Sequence, residues 1–74
     1  MTEQLSRALS AELRRLLADR GTSGRELSRL TGIPQKTLAD KLADRAPFDL
    51  DDLQLIAGVL EHSVSDLVAW AEKH

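Results

Sequence analysis

The sequence predicts an all-α domain of five helices, and three observations support this. Leucine, alanine and arginine dominate the composition, while Trp70 and Phe48 are the only aromatic residues, which favours helices over a packed sheet. Apolar residues recur at spacings of three and four, the period of a helix with one buried face. Capping residues, glycines and prolines divide the 74 residues into five such segments, and this length predicts a single domain spanning residues 1–74.

Helix 1 is predicted from about Glu3 to Arg20. Four leucines at spacings of four, four and three predict its buried stripe: Leu5, Leu9, Leu13 and Leu16. Gly21 follows at the position where a left-handed residue closes a helix without steric cost. The arginines of this segment are expected to face solvent without a binding role: Arg7, Arg14 and Arg15.

Helices 2 and 3 are predicted to be short and to be joined by a tight turn. Ser23 and Glu26 form a capping box that starts helix 2, which is expected to bury Leu27 and Leu30 and to end near Thr31. Gly32 and Pro34 then interrupt the helical pattern. Proline suits the first position of a helix, so helix 3 is predicted from Pro34 to about Ala43, with Leu38 and Leu42 inward.

Helices 4 and 5 begin at capping residues, Asp49 and Ser63. The predicted buried stripe of helix 4 is Leu53, Ile56, Ala57 and Leu60, and that of helix 5 is Val64, Leu67, Val68 and Ala71.

Composition excludes several classes of function. The chain has no cysteine and two histidines, so a disulfide framework, a thiolate zinc site and a cysteine nucleophile are excluded, and no metal or cofactor is expected. His62 is predicted to be partly buried between helices, and His74 is terminal. The acids at helix starts are explained by the helix dipole, and no enzyme is predicted. No apolar run is long enough to cross a bilayer and no signal peptide begins the chain, which predicts a cytoplasmic protein.

Charge is divided unevenly along the chain. Residues 1–48 contain nine Lys/Arg and six Asp/Glu, a balance of +3, whereas residues 49–74 contain one Lys and six acids, a balance of −5. Such asymmetry indicates contact with nucleic acid even though the formal net charge is −2.

Two short helices joined by a three-residue turn containing glycine form the helix-turn-helix pattern, here over residues 23–43. The stretch SGRELSRLTGIPQKTLADKLADRAPFDLDDLQLIAGVLEHSVSDL resembles the Cro/repressor-type helix-turn-helix family, the lambda-repressor-like DNA-binding domains. The resemblance is carried by LSRLTGI, TL, F-x-LDDLQLIAGVL and HSVSDL. It implies a five-helix regulator that binds operator DNA, with helix 3 in the major groove and neighbouring helix ends on phosphates. A repressor or Cro-like protein of bacterial or phage origin is expected.

Three positions depart from the family pattern. Gly24 stands where members often carry a phosphate-binding glutamine, so that contact is expected from Arg25 or from the exposed backbone of Gly24. Ser28 replaces the usual small alanine, and His62 replaces an apolar residue.

Helix 3 supplies the predicted base contacts, with Lys36 and Asp40 on its outward face, Thr37 beside them and Gln35 at the tip of the helix. Glutamine can bind adenine, lysine guanine, the threonine methyl thymine, and aspartate cytosine. The alternative is an ordinary solvated face. This alternative carries most weight for Asp40, since phosphates repel a carboxylate that meets no donor.

The predicted phosphate contacts flank this face, except for Lys41, which is predicted to lie on it: Ser23, Gly24, Arg25, Arg29, Lys41 and Arg45. Arg45 follows helix 3 in a loop where the family commonly carries a basic residue. For Arg29, a role in solubility alone is the alternative.

Two further expectations concern partners. Trp70 is predicted at the edge of the apolar stripe of helix 5, where it either anchors a homodimer or folds over helix 1. A dimer would read two half-sites about one helical turn apart. The alternative function is a small adaptor or antitoxin-like module that binds another protein through the acidic second half.

Overall fold

The computed structural model describes residues 3–73, so His74 lies outside the described residues. Within that range the chain forms five helices and no strand: α1 Glu3–Arg20, α2 Gly24–Thr31, α3 Gln35–Leu42, α4 Leu50–Leu60 and α5 Val64–Lys73. The predicted all-α fold class is confirmed. Helix 3 is shorter than predicted by one residue at each end, because Pro34 precedes the helix as its N-cap and Ala43 follows it as its C-cap.

Three helices begin at the predicted capping side chains. In each case an oxygen of the cap accepts a hydrogen bond from the amide three residues further on, at 3.1 Å for Ser23, 2.7 Å for Asp49 and 3.0 Å for Ser63. These bonds satisfy amides that have no partner within the helix. Only the serine half of the predicted capping box forms at the start of α2, and the carboxylate of Glu26 lies 3.9 Å from the guanidinium of Arg29 instead.

Helices α1, α3 and α4 end in the same two-bond arrangement, the Schellman motif. In α1, Gly21 has φ 67° and the amide of Thr22 donates to the carbonyl of Leu17 at 2.9 Å. The corresponding left-handed residues after α3 and α4 are Asp44, with φ 63°, and Glu61, with φ 61°. The sequence predicted the first of these ends from its glycine, whereas the other two carry no such signal.

The core consists of leucines, isoleucines and small residues from all five helices, together with two residues of the connections. Its buried apolar members are Leu9, Leu13, Leu17, Leu27, Ile33, Leu38, Phe48, Leu53, Ile56, Ala57, Leu60, Leu67 and Ala71. The predicted stripe of α4 is entirely buried, and Val64 and Val68 of α5 are half-buried.

Leucines of α1 and α2 and one histidine differ from their predicted burial, beginning with Leu5, which is half-buried. Leu30 is 51% exposed instead of buried, because α2 is only eight residues long and buries Leu27 as its single core residue. In α1 the buried side is centred one position further on, so Leu17 is buried and Leu16 only half-buried. His62 is exposed, since it follows the left-handed turn after α4 instead of lying between helices.

Each helix packs chiefly against two others. Helix α1 contacts α5 and α3, while α2 contacts α3 and α4, and α4 contacts α5. Trp70 of α5 is half-buried and packs against the core. No helix within residues 3–73 combines the length and the apolar character needed to cross a membrane.

Candidate nucleic-acid interface

The turn between α2 and α3 is held by hydrogen bonds from both sides. Gly32 has φ 79° and donates its amide to the carbonyl of Ser28 at 2.9 Å, while the Ser28 hydroxyl donates to the carbonyl of Ile33 at 2.5 Å. The amide of Ile33 in turn donates to the Thr31 hydroxyl at 3.2 Å. The Ile33 side chain is buried. The angle between the two helices is therefore fixed by local bonds and by one apolar anchor.

Helix α3 is attached to the core through Leu38, which is buried, and Leu42, which is half-buried. Its carboxyl end is bound by α1. The hydroxyl of Ser10 donates to the carbonyl of Lys41 at 3.1 Å, and the guanidinium of Arg14 donates to the carbonyl of Leu42. These bonds occupy carbonyls at the end of α3 that lack partners within the helix.

Sequence reasoning missed both α1 side chains. Ser10 is fully buried, and the available signal was a serine beside the apolar stripe. Arg14 was predicted to face solvent; it is exposed, and it also binds α3. Arg7 is likewise exposed and pairs with Asp44, just beyond α3, at 3.4 Å.

Arg15, the third arginine of α1, acts within its own helix. It donates two hydrogen bonds to the carboxylate of Glu12, at 2.7 Å and 3.0 Å. The hydrogen bond and the charge of Glu12 raise the pKa of the Arg15 guanidinium, with a smaller contribution from Asp19. This pair accounts for the burial of the Glu12 side chain and has no link to α3.

The predicted base contacts lie on the accessible side of α3. Gln35, the first residue of the helix, and Lys36 are exposed, and Thr37 and Asp40 are half-buried. None of the four is a core residue, so their side chains carry no packing role that would conflict with a ligand. The amino end of α3, where a recognition helix contacts base edges, is thus lined by polar groups.

The charges along this face are paired with one another. Lys36 Nζ lies 3.8 Å from one carboxylate oxygen of Asp40, and Arg45 Nε lies 3.3 Å from the other. The backbone places Arg45 there, because its amide donates to the carbonyl of Asp40 at 2.8 Å in the Schellman motif. A carboxylate therefore lies between two cations.

The amino end of α2 is a second accessible surface. The predicted phosphate contacts at this end are all exposed: Ser23, Gly24, Arg25 and Arg29. A Cβ added at Gly24 would meet nothing within 4 Å, so the backbone here is open to an approaching group. Ser23, Arg25 and Arg29 also line a shallow pocket with Glu26.

Lys41 is placed differently from its prediction as an accessible phosphate contact. Its side chain is only 12% exposed, and its amine binds Asp52 of α4, whose side chain is 15% exposed. A second carboxylate, that of Asp49, lies 3.7 Å from the same amine. The amine is therefore bound at the start of α4, and the prediction that Lys41 lies on the accessible face of α3 is wrong.

Among residues 3–73, no group of three His, Cys, Asp or Glu side chains could hold a metal ion. The acids Asp49, Asp51 and Asp52 lie in or before the first turn of α4, as the dipole argument predicted.

A solved structure resembles this chain over most of its length. The crystal structure of the clp gene regulator ClgR from Corynebacterium glutamicum matches it with a TM-score of 0.84 and 29% sequence identity, covering 93% of this chain and 73% of that one. None of the curated protein sequences matches the chain.

The family comparison agrees with the geometry of α2, the turn and α3. The model of the Cro/C1-type HTH DNA-binding domain matches residues 12–73, well over half of the chain. The chain belongs to the Cro/C1-type helix-turn-helix DNA-binding family.

Proposed function

We propose that this DNA-binding domain regulates transcription as a Cro- or repressor-like protein that occupies an operator, with α3 in the major groove. The observation that carries the proposal is the placement of α3. One side is held by Leu38 and by the α1 side chains Ser10 and Arg14, while the other presents Gln35 and Lys36 to solvent. A rigidly held helix with polar residues at its amino end suits base recognition.

The surroundings of α3 support backbone contacts. Arg25 and Arg29 at the start of α2 and Arg45 after α3 are exposed cations, and phosphate contacts of this kind set the position of a protein on the duplex. Lys41 is left out of this proposed set because Asp52 and Asp49 occupy its amine. The similarity to a bacterial gene regulator also supports a role in transcription in the bacterial cytoplasm.

We also propose that the protein binds its operator as a homodimer through α5. A single eight-residue recognition helix reads only a few base pairs, and two copies related by a twofold axis would read half-sites about one helical turn apart. Trp70 is the proposed anchor. Its indole is half-buried, so the edge that remains accessible is the part available to a partner.

Selection of bound sequences from a random duplex library tests the proposed function. We expect one sequence to be enriched and to bind at least about 10³-fold more tightly than random duplex at the same salt concentration. If the enriched sequence binds no better than random duplex, the regulator proposal is wrong. A co-purifying protein together with unchanged DNA mobility would support the adaptor alternative instead.

A further inference from the structure

The carboxylate of Asp40 is the one acid among the proposed DNA contacts. It lies between Lys36 and Arg45, at 3.8 Å and 3.3 Å, and its side chain is 36% exposed. Two cations that would attract phosphate are thus held by an anion of the same surface. The inference that follows rests on the proposed function, because it concerns how the DNA-reading face of α3 distinguishes sequences.

We propose that Asp40 determines specificity by withholding two cations from DNA that offers its carboxylate no hydrogen-bond donor. On such DNA the carboxylate keeps Lys36 and Arg45 as partners, and it also repels the nearby phosphates. Both effects weaken binding without regard to sequence. On DNA with a donor at the matching position, the carboxylate accepts from the base, and both cations are released to the duplex, Lys36 beside the base edges and Arg45 at the phosphates.

The major groove limits which base can supply that donor. The donors on its floor are the exocyclic amino groups of cytosine and adenine, and the pairing typical of aspartate is with cytosine. Asp40 is therefore expected to select a cytosine amino group at one position of each half-site. Guanine or thymine at that position of the same strand presents an acceptor to the carboxylate, because the amino donor of the pair then belongs to the complementary base.

The two ion pairs are weak enough to exchange on binding. Lys36 is 89% exposed and precedes Asp40 by four residues, an order less favourable than the reverse on a helix. Arg45 is 68% exposed, and exposed pairs contribute little to stability. Opening them therefore costs little when a base and phosphates supply replacement partners.

The geometry also keeps the carboxylate close to Arg45. The main-chain bond from the Arg45 amide to the Asp40 carbonyl, at 2.8 Å, returns the chain over the last turn of α3. Since this bond does not involve the carboxylate, a change of Asp40 to asparagine leaves the turn intact. The variant tests the charge and not the fold.

The experiment compares the wild type with Asp40→Asn on the selected operator and on random duplex over a range of salt concentrations. We expect Asp40→Asn to bind random duplex more tightly, with a salt slope steeper by about 0.9 for each cation released, up to about 1.8. The ratio of specific to random affinity should fall about 5-fold to 150-fold, the range of one good base contact. Selection repeated with the variant should lose one cytosine preference.

Asp44→Asn is the matched control, since it changes net charge equally and keeps a residue tolerated in the left-handed region. Asp44 pairs with Arg7 of α1, which is not among the proposed DNA contacts. Asp44→Asn should therefore change neither the salt slope on random duplex nor the cytosine preference found by selection. The double variant Asp40→Asn with Arg45→Gln should bind random duplex less tightly than Asp40→Asn alone, because it lacks the cation that Asp40→Asn releases at position 45.

Two results would overturn the role of Asp40: unchanged affinity of Asp40→Asn for random duplex, or equal gains in affinity in Asp40→Asn and Asp44→Asn. In either case, a wild type that still prefers its operator leaves the proposed function intact. A wild type without operator preference is a failure of the proposed function itself.

Discussion

Lys36 and Lys41 lie five residues apart on the same short helix and have different surroundings. Lys36 is 89% exposed and pairs with one carboxylate, that of Asp40 at 3.8 Å, whereas the Lys41 side chain is covered and its amine pairs with the carboxylates of Asp52 and Asp49. A charge with little exposure contributes to stability only while its partner is present. The two lysines are therefore expected to respond differently to truncation.

We expect Lys41→Ala to lower the free energy of unfolding by about 1.5 to 3 kcal/mol, because Asp52 would lose its cation in a poorly solvated position. Urea unfolding followed by circular dichroism measures the change. Lys36→Ala is the control from the same helix and should stay within about 0.5 kcal/mol of the wild type. Equal losses in the two variants would show that the Lys41 pair has no special weight.

Base and phosphate contacts are also separated by single substitutions. Gln35→Ala and Lys36→Ala should each cost about 1 to 3 kcal/mol of binding free energy on the operator and blur one base preference. Arg45→Ala should weaken operator binding and reduce its salt slope by about one without blurring a base preference, and the loss on random duplex, where Asp40 holds Arg45, should be smaller. Titration of both duplexes at several salt concentrations measures this. Loss of sequence preference to the same degree in Arg45→Ala and Gln35→Ala would contradict the division.

The sequence predicted the exposure of single side chains well where it depends only on their place in one helix. Lys36 is exposed as the helical period requires, and Gln35 is exposed because it is the first residue of the helix. Lys41 was misplaced because its surroundings depend on Asp52, which belongs to another helix. The helical period gives the direction of a side chain but not the element that covers it.

At the scale of the helices, starts and ends follow different rules. At the starts of α2, α4 and α5, the capping side chain accepts a hydrogen bond from an amide only three residues further along the chain. The caps Ser23, Asp49 and Ser63 were therefore predictable from local sequence. The ends of α3 and α4 instead use a left-handed backbone at Asp44 and Glu61. Neither position carries the glycine that usually indicates such a helix end. For a residue with a Cβ, that conformation costs about 1 to 2 kcal/mol.

Glu61→Gly should therefore stabilise the protein. Relief of the left-handed strain exceeds the greater freedom that glycine gives the unfolded chain, and the expected net gain is about 0.5 to 1 kcal/mol. For a domain of this size the thermal midpoint should rise by about 2 to 8 °C. Thermal unfolding followed by circular dichroism gives the midpoint.

Glu61→Ala is the control for the lost side chain. It removes the same carboxylate, which lies 4.0 Å from the Arg20 guanidinium with both groups exposed, and it keeps the strain. Its midpoint should stay near that of the wild type, since such an exposed pair contributes little. A rise as large as that of the glycine variant would attribute the gain to charge and not to the backbone.

At the scale of the whole molecule, the sequence predicted the number and order of the helices but not the contacts that join them. The stripes of α4 and α5 were largely recovered because apolar periodicity is local. The hydrogen bond from Ser10 to the carbonyl of Lys41 joins residues 31 positions apart, and that from Arg14 to the carbonyl of Leu42 joins residues 28 positions apart. Contacts of this range follow from how α1 packs on α3, which no local pattern records.

The proposed dimer is tested by sedimentation of the wild type and Trp70→Ala at micromolar concentration, with and without the selected operator. We expect two copies of the wild type per operator and weaker assembly for the variant, because truncation removes the aromatic edge from the interface. Thermal unfolding of Trp70→Ala is the control for loss of core packing. A wild-type monomer on a single non-palindromic site would exclude the dimer and leave DNA binding intact.

The attachment of α3 from behind has a consequence for how the protein changes over generations. Leu38, Ser10 and Arg14 carry the attachment, and none of them belongs to the exposed side of α3. Gln35 and Lys36 contribute nothing to the core, so replacing them alters the preferred operator at little cost in folding free energy. A duplicated copy can therefore acquire a new target sequence by drift at exposed positions alone, with the scaffold inherited unchanged.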